Sequence, residues 1–321
     1  MLVSNLHKSI RFGLVEQASA TADALHLCDP GYFYRRLPVI ALEDVSLGNL
    51  PVCFEILTLC RDLTLRRKFQ GRGLARYIGA KLAATHKSRS ACDLLSLVGT
   101  SDARPAGFGC TPVDGAELDI ASSDREPIRT RAAVLLKLDQ GLSEDGGNSR
   151  ASLGVVASRL GLPSLLIDTL MCGGSTHGLN AMLALIYELM AQRPLRVEVA
   201  STNLAPLDNS ILCAAADQYT RLGREAIGRW MRSTRELSAL LKMKGSQKAT
   251  EIVGMALFHI EGSLLNTRLT NDCLEILREE TERAELARLG ISPNSSAELY
   301  AVMRSNLGAL NDTRRKLWKS R

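Results

Sequence analysis

Aromatic residues are scarce in this chain: six Phe, six Tyr and two Trp among 321 residues, 4% in all. A β-sandwich core leans on aromatic and β-branched side chains. A chain rich in Leu, Ala and Arg favours helices packed through aliphatic side chains instead. Long hydrophobic runs are missing too. No uninterrupted apolar stretch reaches the length that spans a bilayer, and the opening "MLVSNLHKSIRFG" lacks the apolar centre of a signal peptide. The eight cysteines (Cys28, Cys53, Cys60, Cys92, Cys110, Cys172, Cys213 and Cys273) form no C-x-x-C pair and sit mostly in apolar runs. That is the pattern of buried free thiols in a reducing compartment, not of a disulfide framework or a zinc site. A cytoplasmic protein without a membrane partner is the expectation.

Recognisable catalytic signatures are also lacking. "GGSTHGLN" (173–180) copies the glycine spacing of a P-loop, but Leu179 and Asn180 stand where phosphate chemistry needs Lys and Ser or Thr. A helix–helix turn, with Ser175 or Thr176 capping the next helix, accounts for it equally. The histidines His7, His26, His86, His177 and His259 form no metal-binding spacing. Cys172 and His177 are near neighbours and are either a dyad or structural. "ALEDV" offers adjacent carboxylates, yet neighbours on an α-helix point about 100° apart and need partners from other elements to hold a metal. The expectation is a protein with no enzymatic activity, cofactor or metal, with an active site around Cys172 and His177 as the alternative.

What is present is helical periodicity. Residues 1–98 read as short helices broken at Gly13, Asp29–Gly31, Gly48–Pro51 and Gln70–Gly71. Residues 99–150 read as a connecting segment, rich in Gly, Pro, Ser and Asp, with one short helix near 128–140. From 151 to 321 the helical pattern returns, at 152–160, 164–172, 178–192, 208–243, 247–265, 268–289 and 295–318. Gly290 closes one helix, and Ser295 with Glu298 opens the next as a capping box. Only "PLRVEVAS" (194–201) alternates like a strand. The expected class is all-α, in two helical domains joined by that connection.

The net charge of +6 is unevenly spread. Residues 61–90 hold nine Lys and Arg against Asp62 alone, and residues 221–248 hold eight against Glu225 and Glu236. In the first segment Arg66, Arg67 and Lys68 lie in or beside a turn, Arg72 and Arg76 share a helix face, and Lys87 and Arg89 follow. Phe69 can stack on bases there, whereas Tyr77 reads as core. Taken as one helix, the second segment puts Arg221, Arg224, Arg232, Arg235 and Lys242 within about 80° of arc, opposite Leu222, Ile227, Trp230 and Leu237. Such a stripe suits phosphates, contacted without base readout. The same stripe also suits an ordinary solvated face. The C-terminal "RRKLWKSR" is either a phosphate-binding arm or a solvated terminus.

"YRRLPVIALEDVSLGN" (34–49) places Arg35 and Arg36 at the start of a helical run and Glu43 and Asp44 near its end. This order opposes the helix dipole at both ends, so these side chains need partners elsewhere. Pro38 predicts a helix start no earlier than about Leu37. Three stretches, "SNLHKSIR", "CDPGYFYRRLPVIALEDVSLGN" and "LAATHKSRSA", together resemble the helical C-terminal region of the replication-associated recombination protein A family of AAA+ ATPases. They resemble its S-A-L-H-K-S-x-R opening, its G-x-D-P-x-Y-x-x-R-R-L-x-x-I-A-x-E-D-x-G core and its L-A-x-A-P-K-S-N-A segment. Pro38 and Ser46 depart from that pattern. The match covers residues 1–98 and no P-loop motor; residues 101–321 do not match. The resemblance implies a clamp-loader-collar-like oligomerisation domain, in which Arg35, Arg36, Glu43 and Asp44 bridge helices or subunits, or else form an intrachain network.

These readings lead to one expected function: a non-catalytic, homo-oligomeric protein of DNA replication, recombination or repair that binds nucleic acid through basic helical faces. The alternative is an adaptor that joins or blocks a replication-type AAA+ ATPase oligomer without touching DNA.

Overall fold

Local capping sets seven of the described helix starts. Asp29 accepts a hydrogen bond from the Tyr32 N–H at 2.8 Å, and Pro30 follows it. Asn49, Asp62, Thr220, Asn271 and Ser292 cap later helices in the same way. Asp114 and Glu117 form a reciprocal capping box. The computed structural model describes residues 1–69, 72–100, 114–144, 148–172, 178–200, 204–208, 210–242 and 246–320. Among them are eighteen α-helices and one two-stranded sheet. The protein is all-α, and no described helix is long and apolar enough to cross a membrane.

Three cores organise these helices. The first is formed by α1 (Leu2–Arg11), α2 (Val15–Cys28), α3 (Pro30–Ile40), α4 (Leu50–Arg61), α5 (Leu63–Lys68) and α6 (Arg72–Ala84), around Leu6, Ile10, Phe33, Ile56 and Ile78. The second gathers α7 (Ser90–Thr100), α8 (Gly115–Ser122), α9 (Ile128–Glu144), α10 (Asn148–Arg159), α11 (Ser164–Cys172) and α12 (Leu179–Gln192). The third surrounds the buried Trp230. It is built from α13 (Arg221–Ser233), α14 (Arg235–Leu240), α15 (Ser246–Leu257), α17 (Pro293–Ser305) and α18 (Leu307–Lys319). The long α16 (Asp272–Arg288) serves two of them, with Leu274 and Leu277 in the second core and Leu286 in the third. Val39, Leu42, Leu47 and Leu57 likewise carry the N-terminal helices into the second core.

Several expectations need correction. The described part of the supposed connection is structural: α8, α9 and α10 place Ala121, Leu135, Leu138 and Val156 in the second core. Pro38 lies inside α3, which starts at Pro30. The run 208–243 is not one helix, because Thr234 is extended (φ −100°, ψ 105°) and separates α13 from α14. Residues 268–270, expected to open a helix, are strand: β2 (Thr267–Thr270) pairs antiparallel with β1 (Arg196–Val199), Arg196 opposite Thr270. α17 is capped by Ser292, one turn before the expected capping box, and breaks from α18 at Asn306. Gly290 does close α16, with φ +78°. The C-terminal segment is a packed helix, with Arg314 buried and Trp318 against the third core.

Candidate functional site

Where the three cores meet, the interior is charged. α3 runs into a π-helical turn, Ala41–Val45, which carries Glu43 and Asp44. A π turn widens the helix by one residue and is a recurrent device at functional sites. Asp44 is fully buried. Its Oδ1 accepts from Arg11 Nε at 2.6 Å and Arg89 Nη1 at 2.8 Å, while His7 Nδ1 lies 2.8 Å from Oδ2. Glu43 Oε1 accepts from Arg11 Nη2 at 2.8 Å and Arg89 Nη1 at 3.0 Å. Two guanidinium groups thus balance two carboxylates in formal charge.

A second π turn, Phe258–Gly262, closes the cluster from the C-terminal side. Arg11 Nη1 donates to the Gly262 carbonyl at 2.6 Å. The Phe258 ring lies under both guanidinium groups, 5.0 Å from Arg89 and 5.7 Å from Arg11. This turn carries its own buried carboxylate, Glu261, which pairs with the buried Arg314 at 3.0 Å. Lys8 continues the charged seam by binding Asp217 at 2.7 Å, and Ser4 shares that carboxylate.

Electrostatics follow from this packing. Burial on its own would raise the Asp44 carboxyl; Arg11, His7 and Arg89 outweigh it and hold that group far below the usual carboxylate range. Glu43 is lowered by the same contest, with Arg89 the chief opponent of burial. Asp217 is lowered against its burial by Lys8. At Asp93 burial outweighs Arg89, Arg268 and Arg278 and pushes the carboxyl up. Burial also raises the Cys92 thiol to about 12, which makes it a poor nucleophile at neutral pH. The donor atoms of His7, Glu43 and Asp44 lie within 4.8 Å of one another. A cation placed there meets two arginines already seated on the carboxylate oxygens.

Glu43 and Asp44 do bridge elements, but their partners are Arg11, Arg89 and His7. Arg35 is exposed and stacks over the Tyr32 ring at 5.8 Å, and Arg36 Nε has no hydrogen-bond partner. Arg11 and Arg89 share a local sequence, although nothing in it ties them to Asp44. "HKSIR" (7–11) and "HKSR" (86–89) repeat a His-Lys-Ser tripeptide ahead of an arginine, and those two arginines converge on Asp44.

The basic residues divide sharply. Lys87 and Arg89 are buried and unavailable to phosphate, which corrects their placement in a nucleic-acid surface. Lys87 Nζ donates to the carbonyls of Ala83 and Thr85, and burial lowers its pKa to about 8. Arg66 is half-buried over the Tyr34 ring, Arg76 pairs with Asp23 at 3.0 Å, and Arg67 and Lys68 are exposed. Arg72 opens α6 with a side chain outside the described residues. Tyr77 is not core but 48% exposed, and Phe69 is exposed as well. On α13 and α14 the cations Arg221, Arg224, Arg232 and Arg235, with Lys242 just beyond, are all exposed. Arg229 pairs with Glu225; no described ion pair engages those other five. Cys172 is half-buried, and His177 lies, with 173–176, outside the described residues. Comparisons with family models, curated proteins and solved structures find no match to this chain.

Proposed function

We infer that this chain is a non-catalytic, polyanion-binding helical protein whose partner is nucleic acid, in the setting of DNA replication, recombination or repair. One observation carries the reading: five exposed cations on α13, α14 and the residue pair after them, none of them held by a carboxylate among the described residues. Their opposite faces are spent on packing around Trp230. On the cationic side the only side-chain hydrogen bond of these five among the described residues runs from Arg224 Nη1 to the Gln218 carbonyl at 3.3 Å, which leaves their charge unneutralised there. Such a surface gains from releasing counterions on a phosphate backbone, and it reads charge, not base sequence.

Fluorescence anisotropy with single-stranded, duplex and forked DNA tests it. Binding should weaken steeply as salt rises. Arg232→Glu with Arg235→Glu should reduce affinity at least tenfold and flatten the salt slope by roughly 2, about one counterion per lost contact. No binding at low salt, or indifference to the double substitution, would sink the reading.

A collar-like role for the first helices draws on a different observation. The resembling motif ends E-D-x-G, and this chain has Ser46 in place of the glycine. Ser46 is the one non-glycine residue with positive φ (φ 49°, ψ −134°) among those described, which is glycine territory. That conformation supports the resemblance and with it the adaptor reading, in which these helices engage an AAA+ ATPase. Co-purification with such an ATPase, unaffected by the Arg232 and Arg235 changes, distinguishes that role from DNA binding.

A further inference from the structure

The two-stranded sheet has one open edge. Ala200 N donates to Asn266 O, in register with the pairs Glu198–Arg268 and Arg196–Thr270. The even-numbered residues of β1 therefore point their backbone groups at β2. On the far side of β2, Lys87 N donates to Thr267 O and Leu269 N donates to Lys87 O, so that edge is covered. The backbone groups of Leu195, Val197 and Val199 face outward, with no partner among the described residues. Their side chains are exposed as well, at 45%, 45% and 80%. An open, apolar edge strand is the kind of feature proteins ordinarily blunt with charge, a bulge or a cover.

The sequence of this edge is complementary to itself. Turned antiparallel about Val197, Leu195 falls opposite Val199 of a second copy, and Arg196 falls opposite its Glu198. The outward parity makes 197 opposite 197 a hydrogen-bonded pair, and it allows about six new backbone hydrogen bonds. Arg196 and Glu198 then fall at the closer, non-hydrogen-bonded positions, where cross-strand side chains meet best. Within one chain Arg196 already serves Asp272, Glu275 and Glu198. Glu198 and Glu275 share a hydrogen bond that raises Glu275 and lowers Glu198, and Arg196 is the arginine paired with both.

We propose that β1 is a homodimerisation edge: two copies of this chain pair β1 with β1, antiparallel about a two-fold axis at Val197, to make a four-stranded sheet. The second arginine delivered by the partner falls beside the Glu198–Glu275 pair. The edge lies outside the nucleic-acid face and does not depend on that reading.

Sedimentation velocity of the full chain over a concentration series tests the proposal. The wild type should show a reversible dimer. Arg196→Glu and Glu198→Arg should each weaken it by at least roughly tenfold, by setting like charges opposite each other. Mixed in equal amounts, the two variants should recover a dimer, because acidic and basic edges then face each other. Structural damage would not produce that recovery. Val197→Lys, at an exposed position, should give a monomer with an unchanged circular dichroism spectrum. A wild type that stays monomeric at its highest soluble concentration overturns the proposal and leaves the edge to a strand of another protein. An oligomer that ignores all three substitutions overturns it as well.

Discussion

Asp44 is the residue on which most of the interior charge depends. Removing it leaves Arg11 and Arg89 buried with only Glu43 to share, so Asp44→Ala should cost about 3–5 kcal/mol in urea unfolding. Arg35→Ala, at an exposed ring contact, should stay within about 0.5 kcal/mol. Asp44 and Asp217 both titrate lower in the folded chain than in the unfolded one. Their contribution is complete above the unfolded carboxylate range near pH 4 and is lost as pH falls below it. Thermal unfolding followed from neutral pH downward should show its steepest loss below about pH 4, and Asp217→Asn should blunt that loss. Ser46 offers the opposite sign. Its strained φ and its buried, unpartnered hydroxyl make Ser46→Gly a stabilising change of roughly 1 kcal/mol, once the added freedom of the unfolded chain is deducted. A higher urea midpoint with unchanged slope is the expected result.

Elements read well from the sequence where apolar period and capping agreed. The segments 164–172 and 178–192 match α11 and, within one residue, α12, because both bury continuous aliphatic faces. They read badly where the period ran across a break. Leu237 and Leu241 keep the stripe of α13 in phase, so nothing in the pattern marks Thr234 as extended. Before α13, Asp208 and Asp217 bind nearby N–H groups and turn the chain where a helix was expected. β2 is four residues long and defined by its neighbours, hence invisible to periodicity. The charged cluster was legible in its misplaced carboxylates but not in its arginines, since no local spacing ties Arg11 or Arg89 to Asp44. Asn271 shows how such long-range ties work. Its amide donates to the carbonyls of Leu189, Met190 and Arg193 at the end of α12, and its oxygen caps α16 at Leu274 N. Asn271→Ala should cost about 2–4 kcal/mol by losing a cap and stranding buried carbonyls, measurable by chemical denaturation.

At the scale of the molecule, the cores do not follow the boundaries expected from composition. Residues 91–98 belong to the second core, Lys87 extends the sheet, and Arg11 reaches the second π turn. A fragment of residues 1–98 would expose those apolar side chains and leave Arg11 without its carbonyl. It should show no cooperative urea transition, in contrast to the intact chain. The same clasp bears on synthesis. Arg11 is made 251 residues before the carbonyl it binds. At ~5–20 residues per second that interval is roughly 10–50 s. Until then the helix that carries Arg11 holds a charge meant for an interior that does not yet exist, so its final docking awaits the synthesis of Gly262.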